Sequence, residues 1–210
     1  MSRLRSTAGD RPQQFAYFIA LPLFLLTVAF VVPLAENNTA SVKELPLAAV
    51  YLVFFILAQL VVLHFEVRRH SFVLTLTEIP LVLALFYLSP LVVIMARVLS
   101  LVLLQLWKRY PIPKILFNVS SSGLAATAAA HIVAANPVRG NVKPGTWLIL
   151  TGAVGASTVI SLAAVIGVIS LVQGIPPVRS LFRTSVSVVA VAAVNIAVGL
   201  VVLLVLAIEP

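Results

Sequence analysis

Residues 71–107 read SFVLTLTEIPLVLALFYLSPLVVIMARVLSLVLLQLW, and how this stretch crosses or fails to cross a bilayer decides the fold. It is apolar throughout except for Glu78, Arg97 and Gln105. One continuous helix of this length would be about 55 Å long, far beyond a hydrocarbon core of about 30 Å. Ser89-Pro90 divides it, because proline lacks a backbone donor and disfavours helix in the residue before it. The stretch therefore predicts a tight helical hairpin, with arms at 72–88 and 91–107.

Apolar runs flank it on both sides. Before it lie 15–34 and 45–65, separated by the polar segment 35–44; after it lie 115–135, 147–173 and 181–208. Each is long enough to span a bilayer. The run at 15–34 is too long for the apolar region of a secretory leader, which predicts a retained helix rather than a cleaved one. The expectation is an all-α, polytopic transmembrane bundle of seven spans, forming one domain over residues 15–208 behind a basic cytoplasmic tail at 1–14. Composition agrees: 61% of the 210 residues are hydrophobic, 10% are charged and the mean hydropathy is +1.15. Soluble domains are closer to 45–50% apolar and about 25% charged, and disordered chains need still less apolar content. The chain has no cysteine, which removes disulfides, thiol chemistry and thiolate metal sites.

The formal net charge is +8, from 14 basic and 6 acidic side chains. The basic residues sit in short gaps between apolar runs, so they point to membrane topology and anionic lipid headgroups rather than to nucleic acid. With the N-terminus cytoplasmic, the inner segments hold Arg3, Arg5, Arg11, Arg68, Arg69, Lys108, Arg109, Lys114, Arg179 and Arg183. The outer loops hold Lys43, Arg139 and Lys143. This imbalance predicts a multi-pass plasma-membrane protein with its N-terminus inside. Seven spans then leave the C-terminus outside, directly after an apolar helix.

Two charges fall at membrane depth. Ionisable groups there are costly unless paired or hydrated. Glu78 and Arg97 lie on opposite arms, 11 and 8 residues from Ser89. Their depths differ by less than about one helical turn, so an ion pair across the hairpin is expected. It reads either as a structural lock or as a ligand-linked site. Pro80 would leave a backbone carbonyl free nearby. Asn118, with Ser120, Ser121 and Ser122, completes the expected polar centre or serves as helix–helix glue. Gln59, Gln105 and Asn195 read as single interhelical bonds. His64, His70 and His131 are too scattered to share a metal. Ala153, Ser157 and Ser161, with Gly152, Gly155, Ala163 and Gly167 beside them, form a small-residue face, for packing within the bundle or for a homodimer. No phosphate loop, dinucleotide fingerprint, zinc-protease helix or nucleophile elbow is present. The residues thus predict neither an enzyme nor a bound cofactor or metal.

Three segments, HFEVRRHSFVLTLTEIPLVLALFYLSP from His64, MARVLS from Met95 and KRYPIPKILFNVSSS from Lys108, carry a resemblance. They are similar to the N-terminal membrane module of actinobacterial signalling proteins that carry GGDEF and EAL domains. The matching residues are Thr75, Glu78, Ile79, Pro80, Leu81, Ala96, Arg97, Lys114, Phe117 and Asn118. The resemblance spans the second helix through the fifth. It implies a multi-helix sensor or anchor serving cytoplasmic domains that make or degrade cyclic di-GMP, hence a cytoplasmic signalling partner. The departure is that no GGDEF or EAL segment stands in this sequence, so no nucleotide chemistry can be assigned to it. The expected function is a non-catalytic sensory or anchoring module of the membrane. The alternative is a small-solute transporter or substrate-binding membrane subunit.

Overall fold

A computed structural model describes residues 11–37, 41–67, 70–138, 140, 142–174 and 177–208. Arg3, Arg5, Arg68, Arg69 and Arg139, used above for topology, lie outside the described residues, as does most of the tail at 1–14. Seven α-helices follow in order: α1 (Arg11–Asn37), α2 (Leu45–Leu60), α3 (Glu78–Tyr87), α4 (Pro90–Trp107), α5 (Ile112–Ala135), α6 (Pro144–Gln173) and α7 (Val178–Ile208). Two antiparallel strands, β1 (Val62–Val67) and β2 (His70–Thr75), stand between α2 and α3. All helices except α3 are long and apolar enough to cross a membrane, α2 together with the 3-10 turn Val42–Glu44 that leads into it. Their outward residues are apolar as well: Leu25, Phe54, Leu103, Leu116, Val159 and Val201 are each at least 41% exposed. An apolar exterior of this extent requires lipid. The chain is a multi-pass α-helical membrane protein.

Side-chain contacts give the direction of each helix. Glu44, Phe55 and Gln59 meet Ser89, Arg97 and Ser100 in that order, so α2 and α4 run parallel. The chain must return between them, and α3 is that return. Its ten residues make only about 15 Å of helix. Leu88 and Ser89 extend it, with ψ of 158° and 149°, before Pro90 opens α4. Such a short crossing is tolerable only inside protein, because lipid cannot satisfy free backbone groups. Accordingly, Pro80 through Phe86 are all buried. At the far end of α3 the Ser89 amide donates to Glu44 Oε2 at 2.9 Å. A carboxylate at a helix N-terminus also complements the helix dipole.

The hairpin expectation is corrected in two respects. The joint at Ser89-Pro90 is present, but the first arm begins at Glu78 rather than at 72, and the span begun at 45 ends at Leu60 rather than at 65. The intervening chain, VLHFEV and HSFVLT, is rich in β-branched and aromatic residues and pairs as strands from Val62↔Thr75 to Val67↔His70. Second, the two arms do not chiefly pack on each other. Helix α3 packs on α7, whereas α4 packs on α5 and α2.

Small residues make the tight crossings. Helix α5 buries Ser120, Ser121, Gly123, Ala125, Ala126, Thr127, Ala129 and Ala130, and packs against α1, α4 and α6. In the bundle a Cβ on Gly123 would stand 3.1 Å from Thr27 Cγ2. Helix α3 supplies the bulk: Leu81, Val82, Leu85 and Phe86 fill the space around Phe55, Leu150 and Leu203. The α3–α7 contact is parallel, with Glu78 and Val82 meeting Asn195 and Gly199. On α6, Ala153 and Ser157 are buried within the bundle, while Gly152, Gly155 and Gly167 face open space. The small-residue face is thus split between internal packing and the exterior.

Gly199 tests this geometry. A Cβ there would lie 3.1 Å from Val82 Cβ and 3.4 Å from the Ile79 carbonyl. Gly199→Val is expected to lower stability by about 1–3 kcal/mol through overpacking. Gly152→Ala, which meets nothing within 4 Å, should stay within about 0.5 kcal/mol. Thermal unfolding of both variants in detergent reads the difference.

Candidate polar site at the start of α3

The chain leaves β2 at Leu76, whose amide donates to Ala58 O near the end of α2. Thr77 then caps α3, and Glu78 is its first residue. Polar groups from four helices meet this short segment, on two separate sides.

On one side stands Arg97. Its Nε donates to Ser122 Oγ of α5 at 3.2 Å, and Nη1 reaches the Thr77 carbonyl at 3.5 Å. The guanidinium lies 5.7 Å from the centre of the Phe55 ring, within cation–π range. One turn on, Ser100 donates to the Arg97 carbonyl at 2.7 Å and accepts from Gln59 Nε2 at 3.1 Å. Gln59 also donates to the Phe55 carbonyl. Phe55, Gln59, Thr77, Arg97, Leu101 and Ser122 line a half-open cavity of about 180 Å³.

On the other side stands Glu78, whose Oε2 accepts from Asn195 Nδ2 of α7 at 2.9 Å. The expected ion pair with Arg97 is not made. Both side chains spring from the neighbourhood of the Thr77–Glu78 backbone, but they turn to different helices. The reason lies in the packing: α3 is held by α7 rather than by α4, so its first side chain follows α7. Among the described residues no carboxylate lies within ion-pair distance of Arg97.

Asn118 belongs to neither side. Its Nδ2 donates to Gln105 Oε1 at 3.2 Å, about one turn along α5 from Ser122. The expected polar centre of Glu78, Arg97 and Asn118 is therefore three networks, joined by α3, α4 and α5. Gln59, Gln105 and Asn195 do make the interhelical bonds anticipated for them. Pro80 offers no N–H to the Leu76 carbonyl, but the free carbonyl expected near it is not seen. The Leu76 carbonyl accepts from Ile79 N, and the Thr77 carbonyl takes both Leu81 N and Arg97. His131 faces the Phe30 carbonyl of α1 at 2.7 Å, well apart from the strands that carry His64 and His70. Among the described residues no group of three His, Asp or Glu side chains could hold a metal ion.

The residues missed from sequence as site members are Phe55, Thr77, Ser100 and Leu101. The i, i+3 spacing of Arg97 and Ser100 was the available signal, since it places both on one face of α4. Chemically, the lining offers one cation, an amide, two hydroxyl groups and an apolar wall. It is equipped to bind an anion. No protein-family model matches the chain, and searches of curated proteins and of solved structures return no match.

The Glu78–Asn195 bond gives a direct measurement. Asn195→Ala leaves the Glu78 carboxylate without its donor and should cost about 1–3 kcal/mol. In Glu78→Leu the same Asn195→Ala change should cost far less. A double-mutant cycle on unfolding free energies measures that difference.

Proposed function

We propose that the chain is a non-catalytic sensory or anchoring module of the cell membrane, serving a cyclic di-GMP-type signalling system. The observation that carries this reading is the cavity beside Arg97. It lies where α2 ends and α3 begins, at the two feet of the β1–β2 hairpin, so one bound molecule would touch α2, α4, α5 and the α3 start together. A ligand that favours one packing of these elements over another shifts their equilibrium, by no more than its differential affinity. The basic pair Arg68-Arg69, which stands between the two strand segments in the sequence, would present that shift to anionic headgroups or to a cytoplasmic partner. The resemblance of the motifs around Glu78, Arg97 and Asn118 to modules attached to GGDEF and EAL domains supplies the signalling context. The charge imbalance between loops supports a cytoplasmic N-terminus, plasma-membrane placement and contact with anionic lipids.

The absence of cysteine makes the test simple. Spin labels are placed at Val61→Cys, beside the hairpin foot, and at Val178→Cys, at the start of α7; both positions are exposed. The full chain in nanodiscs is measured by double electron–electron resonance, with and without a deproteinised small-molecule extract of actinobacterial cells. A shift in the distance distribution that disappears in Arg97→Gln is the expected result. An unchanged distribution in the parent chain overturns the sensory reading. Accumulation of solute from the extract in sealed vesicles would replace it with transport.

A further inference from the structure

The cavity and the arginine together specify a ligand class. A guanidinium has five N–H donors in a planar fork that matches a carboxylate with two parallel hydrogen bonds. Here Nε is used at 3.2 Å and Nη1 weakly at 3.5 Å, and Nη2 has no protein acceptor among the described residues. The nearest acid in sequence terms, Glu78, is committed to Asn195 on α7. The bundle therefore holds a cation at membrane depth with a space beside it, attracted by Glu78 only from a distance and with no carboxylate in contact, an arrangement that an incoming anion would stabilise.

Size narrows the class. A cavity of about 150 Å³ holds benzene, so the 180 Å³ here admits about seven heavy atoms. Drug-sized ligands and nucleotides, whose sites run to about 300 Å³ or more, would protrude through its open side and leave most of their surface unburied. The lining divides in the same way as such a molecule: Arg97 and the Ser122 hydroxyl suit a charged head, Phe55 and Leu101 suit a short apolar tail, and Gln59, whose two N–H groups go to Phe55 O and Ser100 Oγ, serves as wall. Depth selects a solute over a lipid headgroup. Arg97 lies seven residues from Pro90 and ten from Trp107, about 10 Å and 15 Å from the two ends of α4.

We infer that this cavity binds a small monocarboxylate, head-on to Arg97 with its tail between Phe55 and Leu101. The inference rests on the sensory reading and names its ligand.

The test uses the full chain in phosphatidylcholine nanodiscs, titrated with propionate, butyrate, pyruvate, inorganic phosphate and the neutral isostere butyramide. Saturable stabilisation by at least one of the short acids, absent with butyramide, is expected. Arg97→Lys, which keeps the charge but loses the fork, should weaken binding at least tenfold. Should Arg97 variants fold poorly, Leu101 decides. Leu101→Phe fills the cavity and should abolish binding, while Leu101→Ala should move the preference to longer acids. Equal stabilisation by butyramide, or no response to any acid, overturns the inference. So does Arg97-dependent stabilisation by phosphate or by phosphatidylglycerol nanodiscs while the acids stay silent. If the acids fail but the cell extract still moves the spin labels through Arg97, the ligand class is wrong and the sensory module stands. If the acids bind yet no label moves, the site stands and the sensory module falls.

Discussion

A guanidinium cannot lie in hydrocarbon without polar company, and this requirement arranges the middle of the bundle. Arg97 draws on a hydroxyl from α5, a carbonyl from the turn before α3 and the ring face of Phe55 on α2. Each comes from a different element, so the arginine ties four segments at one level. Ser100 and Gln59 repeat the tie about one turn on. Polar interhelical bonds in membranes contribute only about 0.6–2 kcal/mol each, so their value lies as much in fixing register as in energy.

The rest of the packing serves a second constraint, the shortness of α3. Ten residues cannot span lipid, and the bundle therefore buries the seven from Pro80 to Phe86, with large side chains on α3 and small ones on α5 and at Gly199 of α7. The usual contrast of soluble proteins between an apolar interior and a polar exterior is lost. The exterior between the helix ends is largely apolar, and serine, threonine, asparagine and glutamine are buried among the apolar side chains of the interior. Without a hydrophobic driving force between helices, close backbone approach and polar bonds carry the association.

Much of this was legible in the sequence. Apolar length located six long helices to within a few residues, because lipid imposes the same requirement on each. The break at Ser89-Pro90 was legible from proline alone. The β1–β2 hairpin was not: VLHFEV continues the apolar run of α2, and hydropathy averages over the alternation that separates strand from helix. In the site, equal depth made Glu78 and Arg97 look like partners, but depth is one coordinate. Which neighbour each side chain faces depends on the rotation of α3 toward α7, set by the fit of Val82 against Gly199, more than a hundred residues away in the chain. Asn118 and Gln105 were both visible as polar groups, yet their pairing depends on the antiparallel register of α4 and α5.

The parallel contact of α3 with α7 bears on how the protein is made. A ribosome delivers α3 long before α7, and a ten-residue segment is too short for the insertion machinery to release into lipid as an independent span. Until α7 arrives with Asn195 and Gly199, α3 lacks the largest part of the surface against which it is buried and its first carboxylate lacks the Asn195 donor. The complete seat of the central crossing therefore requires α7, which is synthesised more than a hundred residues later.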